Sequence, residues 1–375
     1  MASPLLQYLQ ALVKQRGSDL HVATASVPMI RVHGDLVRLN VAPTQPAEIE
    51  AIINEVTNKN QKAELTQNRQ VDFSFKVSGL GVFRANVFLQ RHGWAAVFRA
   101  LTEKAPTLAQ LHLPPVIQAG CGYANGLILV TGPTGSGKST TLAAMVNHIN
   151  ENERGHILTL EDPIEFYHDS KRCMVNQRQL GTHFGTFAEA LKASLREDPD
   201  VILVGEMRDP ETIALAVTAA ETGHLVFATL HTNSAAKTVD RMVDSFPGDE
   251  QPQIRSMLSE SLRMVVSQRL VKTADGQGRM AFHDILVNTP AVSNLIREGK
   301  THQLSSVMQT GRKNGMIVMD SAILEAARAG KITPQDAWEN ANDKNLFAQY
   351  APREVSGNLT VVQGTQAEPG KTKVG

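Results

Sequence analysis

The nine residues GPTGSGKST, at 132–140, constrain this chain more than any other stretch. They fit the pattern G-x-x-x-x-G-K-[S/T], directly after the apolar run GLILVT and directly before a stretch of helical periodicity. Glycines in such a turn let backbone N–H groups close around phosphate oxygens, and the following helix adds the positive end of its dipole. The pattern therefore assigns Gly132, Pro133, Thr134, Gly135, Ser136, Gly137, Lys138, Ser139 and Thr140 to nucleotide binding. Lys138 has the reach for the β- and γ-phosphates of ATP, and the Ser139 hydroxyl can ligate Mg²⁺.

A turn of this kind needs a parallel sheet behind it, and the sequence provides one. Short apolar strands GLILVT, HILTLE, VILVG and HLVFATL alternate with helical stretches at 138–150, 186–197 and 210–221. Beyond residue 234 the chain reads as mostly helical, with one β segment at RMAFHDILV. Ahead of the sheet, residues 19–42 are extended with a turn at Gly34 and Asp35, residues 46–66 read as a helix opened by proline, and residues 71–99 return to strands. This predicts an α+β domain over 1–100, a linker over 101–115, a P-loop domain over 116–350 and a disordered tail over 351–375.

Composition narrows the class. Lys+Arg and Asp+Glu both number 37, which argues against a polybasic nucleic-acid protein, although the first hundred residues are mildly positive with 11 against 7. Two cysteines, Cys121 and Cys173, cannot build a disulfide framework or a four-thiolate zinc site and read as thiols of a reducing compartment. No apolar run approaches the length of a membrane helix. Leu5, Leu9, Leu12 and Val13 share one helical face, so the first residues read as a packed helix and not as a signal peptide. A cytosolic protein is expected.

Hydrolysis needs carboxylates beside the phosphates. LEDPIEF places Glu161, Asp162 and Glu165 at the carboxyl edge of the sheet, where α/β proteins put reacting groups. In VILVGEMRD the position directly after the apolar strand is Gly205, and the carboxylate, Glu206, comes one residue later. That spacing favours a water-mediated role in holding Mg²⁺. In ETGHLVFATLHTNSA, His224 starts a strand and His231 follows it, with Thr232 and Asn233 next. This polar cluster could sense a γ-phosphate and pass the signal to the next helix.

In this order and spacing, GPTGSGKST, LTLEDPIEF, VILVGEMRD and ETGHLVFATLHT resemble the Walker A, Asp-box, Walker B and His-box elements of the secretion-superfamily hexameric ATPases. Gly205 in place of the Walker-B acid is a trait of that family, and the similarity runs from about residue 15 to 340. GSDLH followed by PMIRVHG, and AVSNLIRE at 291–298, resemble the type IV pilus retraction ATPases within it. AVSNLIRE departs at Val292 and Ser293, where that family usually has Ile and Arg. The four-cysteine zinc module of extension and type II secretion ATPases is missing.

The resemblance implies a RecA-like P-loop ATPase domain preceded by a smaller, PAS-like α+β domain. It implies an ATP- and Mg²⁺-dependent hexameric motor for pilus retraction, pilin depolymerisation and twitching motility. Glu165 then resembles the catalytic base, Glu206 supports Mg²⁺ and water, and His231 senses phosphate. Arg84, Arg91 and Arg99 resemble arginines that face the nucleotide across an interface. Implied partners are five further copies of the chain, the pilus platform protein of the inner membrane and a paralogous retraction ATPase. Nucleic acid is not among them, and membrane association at the cytoplasmic face would come only through partners. Ala291, Val292, Leu295 and Ile296 are expected to pack inward while Asn294, Arg297 and Glu298 face out and couple hydrolysis to the pilus.

Two other readings stay open. One is an accessory retraction paralogue or a subunit that binds ATP and hardly hydrolyses it, against which the intact Lys138, Glu165 and Glu206 argue. The other is a DNA-translocating ATPase on the same core, against which the zero net charge argues.

Overall fold

The computed structural model describes residues 4–32, 35–101 and 105–351. Gly34, residues 102–104 of the expected linker and residues 352–375 of the expected tail lie outside the described residues.

The N-terminal part builds one antiparallel sheet. Helix α1 (Leu5–Lys14) leads into β1 (Asp19–Ala23), β2 (Met29–Val32) and β3 (Asp35–Arg38). Helices α2 (Pro46–Val56) and α3 (Lys59–Asn68) follow, then β4 (Gln70–Val77), β5 (Gly81–Gln90) and β6 (Gly93–Leu101). The strand order is β3-β2-β1-β6-β5-β4. Alternation sets the covered face: Val71 and Phe73 of β4 are buried while Gln70 and Asp72 are exposed. Leu5, Leu9 and Leu12 of α1 pack with Ile49 and Ile52 of α2 onto Phe73, Phe83 and Phe98.

The helix expected over 46–66 is two helices. Thr57 is extended, and Asn58 opens α3 with a reciprocal capping box: its carboxamide oxygen accepts from Gln61 N while the Gln61 side chain accepts from Asn58 N. A satisfied new N-terminus outweighs helix continuation there.

The second sheet holds the P-loop. It is built from α4 (Pro115–Gly120), β7 (Gly126–Thr131), α5 (Lys138–Asn152), β8 (His156–Glu161), β9 (Met174–Gln179), α6 (Phe187–Ser194) and β10 (Val201–Val204). Then come α7 (Pro210–Glu221), β11 (Leu225–Leu230), α8 (Ala235–Val243), α9 (Gln251–Ser261), β12 (Leu262–Lys272) and β13 (Arg279–Val287). The order is β13-β12-β7-β11-β10-β8-β9, all parallel except β13. Every residue of β7, β10 and β11 is buried, as expected of a parallel sheet covered on both faces. The order of the central strands, and their return toward β7 through β12, is the RecA-like arrangement.

Two expectations are corrected here, and a strand that the sequence reading did not name is added. LRMVVSQRLVK lies in a region read as helical but forms β12, an eleven-residue strand beside the P-loop strand. Its β-branched Val265, Val266 and Val271 are buried, which suits a strand covered on both faces. The polar segment MVNQRQ adds β9 at the sheet edge. Helix α6 stops at Ser194 and not at 197, because Asp198 precedes Pro199 and takes positive φ, incompatible with a continuing helix.

Helices α10 (Pro290–Arg297), α11 (Leu304–Thr310), α12 (Met319–Arg328) and α13 (Pro334–Asn340) complete the chain. The AVSNLIRE segment forms most of α10 and docks through Val292 and Ile296, with Leu295 half-buried. Ala291, expected inward, is exposed in the first turn. Ser293 turns its hydroxyl to Ser259 O at 2.7 Å and Asn288 Oδ1 at 3.1 Å, tying α10 to the end of α9. Among the described residues no helix is long and apolar enough to cross a membrane.

Candidate active site

The turn that the sequence pattern assigns to phosphate follows β7. Gly132 has φ of 143°, and a Cβ there would lie 2.3 Å from Gln268 O and 2.5 Å from Ser136 Oγ, so only glycine fits. Gly137 caps α5, and Lys138 is that helix's first residue. Lys138 Nζ donates to Gly132 O at 2.9 Å and Pro133 O at 3.1 Å. Burial lowers the Lys138 pKa against the opposing pull of Glu206 and Glu165. Ser139 is exposed at the mouth of the cleft.

Strand β12 clamps this turn. The buried Gln268 donates from Nε2 to Ser136 O at 2.7 Å and accepts from Thr141 Oγ1 at 2.7 Å. Sequence reasoning missed Gln268. Its signal was a lone carboxamide inside the apolar run MVVSQRLV, where a buried amide must find partners.

The other strand ends bring the carboxylates in. Lys138, Ser139, Glu161, Asp162, Glu165, Glu206 and His231 line one cavity of about 210 Å³ with the turn. At the end of β8, Glu161 Oε1 accepts from Thr159 Oγ1 at 2.6 Å and Gln177 Nε2 at 3.0 Å, and the carboxyl also takes the Glu165 backbone N–H. Burial pushes the Glu161 pKa up to about 7 despite these donors, with the nearby Glu165 charge acting in the same direction. The loop carrying Glu165 also touches the N-terminal sheet, where Ser74 Oγ donates to Ile164 O at 3.3 Å.

Gly205 explains the displaced carboxylate. Its N–H donates to Leu160 O at 2.7 Å and its carbonyl accepts from Thr229 Oγ1 at 2.5 Å, so it is held between β8 and β11. A Cβ there would stand 3.0 Å from Leu160 O and 3.2 Å from Glu161 Cα. A side chain at 205 would press on β8, and the carboxylate enters the cleft from the next residue, Glu206. There Oε1 lies 3.1 Å from His231 Nε2 and Oε2 accepts from Arg208 at 2.6 Å. Burial would raise the Glu206 pKa, but the Arg208 bond and the charges of Arg208, His231 and Lys138 outweigh it and hold the carboxyl below its ordinary value.

The two histidines separate. His231 reaches the cleft from the carboxyl end of β11, while His224 stands at the opposite end of that strand, its Nδ1 2.9 Å from Ala219 O in the last turn of α7. Arg84 and Arg99 are cross-strand neighbours on β5 and β6, facing Asp72 at 3.7 Å and Asp19 at 2.8 Å respectively. Neither they nor Arg91, which bonds His92, lines the cleft of its own chain.

Beyond Gly137 and Thr140 a second cavity of about 570 Å³ opens, walled by Leu111, Leu113, Leu270 and Met280 with Arg279 at its edge. An apolar space continuing from a phosphate turn suits a nucleobase. The oxygen donors Ser139 and Glu206 suit the hard cation Mg²⁺. Among the described residues no three His, Cys, Asp or Glu side chains cluster to hold a metal ion unaided, so phosphate and water oxygens would complete its shell.

The family described as type II/IV secretion system protein matches residues 2–365. A twitching motility protein of Neisseria gonorrhoeae is 55% identical over 348 residues, 93% of each chain. The type IV pilus retraction ATPase PilT of Pseudomonas aeruginosa is 50% identical over 343 residues, covering 92% of this chain and 99% of that one. Among solved structures, the pilus retraction motor PilT with bound ADP aligns with a TM-score of 0.86 at 43% identity, covering 92% of this chain and 99% of that one. With its P-loop, displaced Walker-B glutamate and strand order all in place, the chain belongs to the type II/IV secretion system protein family.

Proposed function

We propose that this chain is an ATP-hydrolysing motor that powers type IV pilus retraction and thereby twitching motility. The observation that carries this reading is the convergence of Lys138, Glu165 and Glu206 on one cleft, in a chain more than half identical to a twitching motility protein along nearly its whole length.

In this reading the 132–140 turn and Lys138 hold the β- and γ-phosphates, and the base enters the cavity beside Leu270 and Met280. Ser139, with Glu206 acting through water, would hold Mg²⁺, which when bound would supply positive charge against the phosphate oxygens. Glu165 takes a proton from the attacking water as its oxygen bonds to the γ-phosphorus and the bond to the β–γ bridging oxygen breaks. His231, bonded to Glu206, reads whether the γ-phosphate is present. Arg84 and Arg99 serve a neighbouring subunit's nucleotide, since they lie outside their own cleft. That need for arginines in trans supports a homo-hexamer, acting at the cytoplasmic face of the inner membrane on the pilus platform protein, alongside a paralogous retraction ATPase.

The test is ATP turnover and twitching measured on the same strains. The wild-type protein should hydrolyse ATP with Mg²⁺, and Lys138→Ala should abolish both turnover and twitching. Glu165→Gln should keep nucleotide binding and lose roughly two or more orders of magnitude in turnover. Near-normal turnover in Glu165→Gln would overturn its assignment. Stimulation by DNA with normal twitching in the Lys138→Ala strain would overturn the motor reading.

A further inference from the structure

We infer that Asp284 is a positioning residue that ties the loop carrying His231 to the C-terminal helices, so that the state of the nucleotide reaches them through one carboxylate. The inference rests on the proposed place of His231 beside the γ-phosphate and extends it to the rest of the chain.

Asp284 lies on β13, is buried, and does not line the cleft. Its two carboxylate oxygens serve two different helices. Oδ2 accepts the N–H of Ala235 at 2.9 Å, the first residue of α8, just past His231, Thr232 and Asn233. Oδ1 accepts the N–H of Met319 at 3.2 Å, the first residue of α12. One anion thus meets unsatisfied donors, and the positive dipole end, of both helices. Capping alone does not account for this at α8, which already has Ser234 as its own cap, accepting from Lys237 N.

Each end is continued by further bonds. On the nucleotide side, the Thr232 hydroxyl meets that of Thr238 in α8 at 2.7 Å, and Ser267, paired with Asp284 across β12 and β13, approaches Thr232 O at 3.5 Å. On the far side, α12 anchors a separate apolar cluster with Ile323, Ile332 and Phe347. Its second residue, the buried Asp320, accepts from Asn342 N and Asp343 N, both at 2.8 Å, and so holds the chain after α13. Arg269 carries compensating charge beside Asp284 and Asp320 and bonds Asn340 O and Asn342. Burial raises the Asp284 pKa and Asp320 adds to it, while the two N–H donors and Arg269 oppose. A carboxylate kept in such a place is worth its desolvation only while both bonds are made. A shift of the His231 loop must therefore break the Ala235 bond or carry α12 with it.

Hydrogen exchange on the full-length protein, comparing ADP with a non-hydrolysable ATP analogue, tests this. In wild type, residues 231–235 and 319–328 should both change exchange between the two nucleotides. Asp284→Asn keeps the side-chain shape but leaves a single acceptor oxygen. Ala235→Pro removes the donated N–H and sets a ring carbon in its place, which turns Asp284 Oδ2 away from α8; it does so at a first-turn position that proline occupies in α2, α7, α10 and α13 of this chain. Both variants should keep ADP affinity and the response at 231–234 and lose it at 319–328. A response at 319–328 retained in Ala235→Pro, or absent in wild type, would overturn the inference. No response at 231–235 in wild type would overturn the placing of His231, and this inference with it.

Discussion

His231 Nε2 stands 3.1 Å from Glu206 Oε1 while Arg208 holds the other carboxylate oxygen at 2.6 Å. Glu206 is therefore shared between a group that can move with the nucleotide and one that anchors it to the next turn. Replacing the histidine leaves the phosphate turn and Lys138 in place, so His231→Ala should lower kcat by about 10–100-fold with little change in KM. Steady-state kinetics on the purified variant decide this. A raised KM with unchanged kcat would mean that His231 only binds.

Gly205 has backbone on both sides where other P-loop proteins place an acid. With its Cβ 3.0 Å from Leu160 O, Gly205→Ala should cost about 1–3 kcal/mol of stability. It should also reduce turnover, because Glu161 and Glu206 flank the strained point. Thermal melting and ATP turnover check the two parts separately. A variant as stable and active as wild type would show that β8 and β10 spread at little cost.

Gln268→Ala should weaken ATP binding by loosening the 132–140 turn, although Gln268 lies outside that turn. It strips the Ser136 carbonyl and the Thr141 hydroxyl of their partner, at about 1–3 kcal/mol for each buried group left unpaired. Titration with a fluorescent ADP analogue should show the loss, and Gln268→Glu should not restore it, since a carboxylate cannot donate to Ser136 O.

Gln268 also marks where sequence reading stopped. The P-loop, Glu161, Glu165, Glu206 and His231 were legible because each stands at, or within four residues after, the carboxyl end of a predicted strand, and strand-to-helix connections deliver such residues to one edge. Gln268 and Asp284 matter only because β12 and β13 pair beside β7, a contact between segments far apart in sequence. Nothing local in LRMVVSQRLVK separates a strand buried on both faces from a buried helix, since neither alternates. The break between α2 and α3 is a different case: Asn58 and Gln61 carried the capping-box signal, and the helix-forming residues that continue beyond it masked it. For Arg84 and Arg99 the strands were legible, but whose nucleotide they serve is a property of the assembly.

Glu161 should make stability depend on pH. Its pKa is raised from 4.5 to about 7 on folding, so the folded protein binds this proton more tightly than the unfolded chain. The contribution is fully present below about pH 4.5 and is lost as pH rises through 7. Glu161→Gln, neutral at every pH, should match wild type near pH 5 and exceed it at pH 8.5 by about 1–2 kcal/mol. Melting curves at the two pH values test this, and a wild-type advantage at pH 8.5 would show that the carboxylate is favourably held.

The last prediction concerns output. Helix α10 is anchored by Val292 and Ile296, both fully buried, and by the Ser293 bond to Ser259 O, while Arg297 is exposed in its final turn. An exposed side chain at that position contributes little to folding, so Arg297→Ala should shift stability by no more than about 0.5 kcal/mol. It lies outside both cavities of the nucleotide site, so ATP turnover should stay close to wild type. If α10 is the surface through which hydrolysis acts on the pilus, twitching should nevertheless be lost. Both quantities belong on the same variant, because only their separation is informative. Parallel loss of turnover and motility would assign α10 a structural role through Ser293 and α9, and full motility would place the coupling surface elsewhere on the chain.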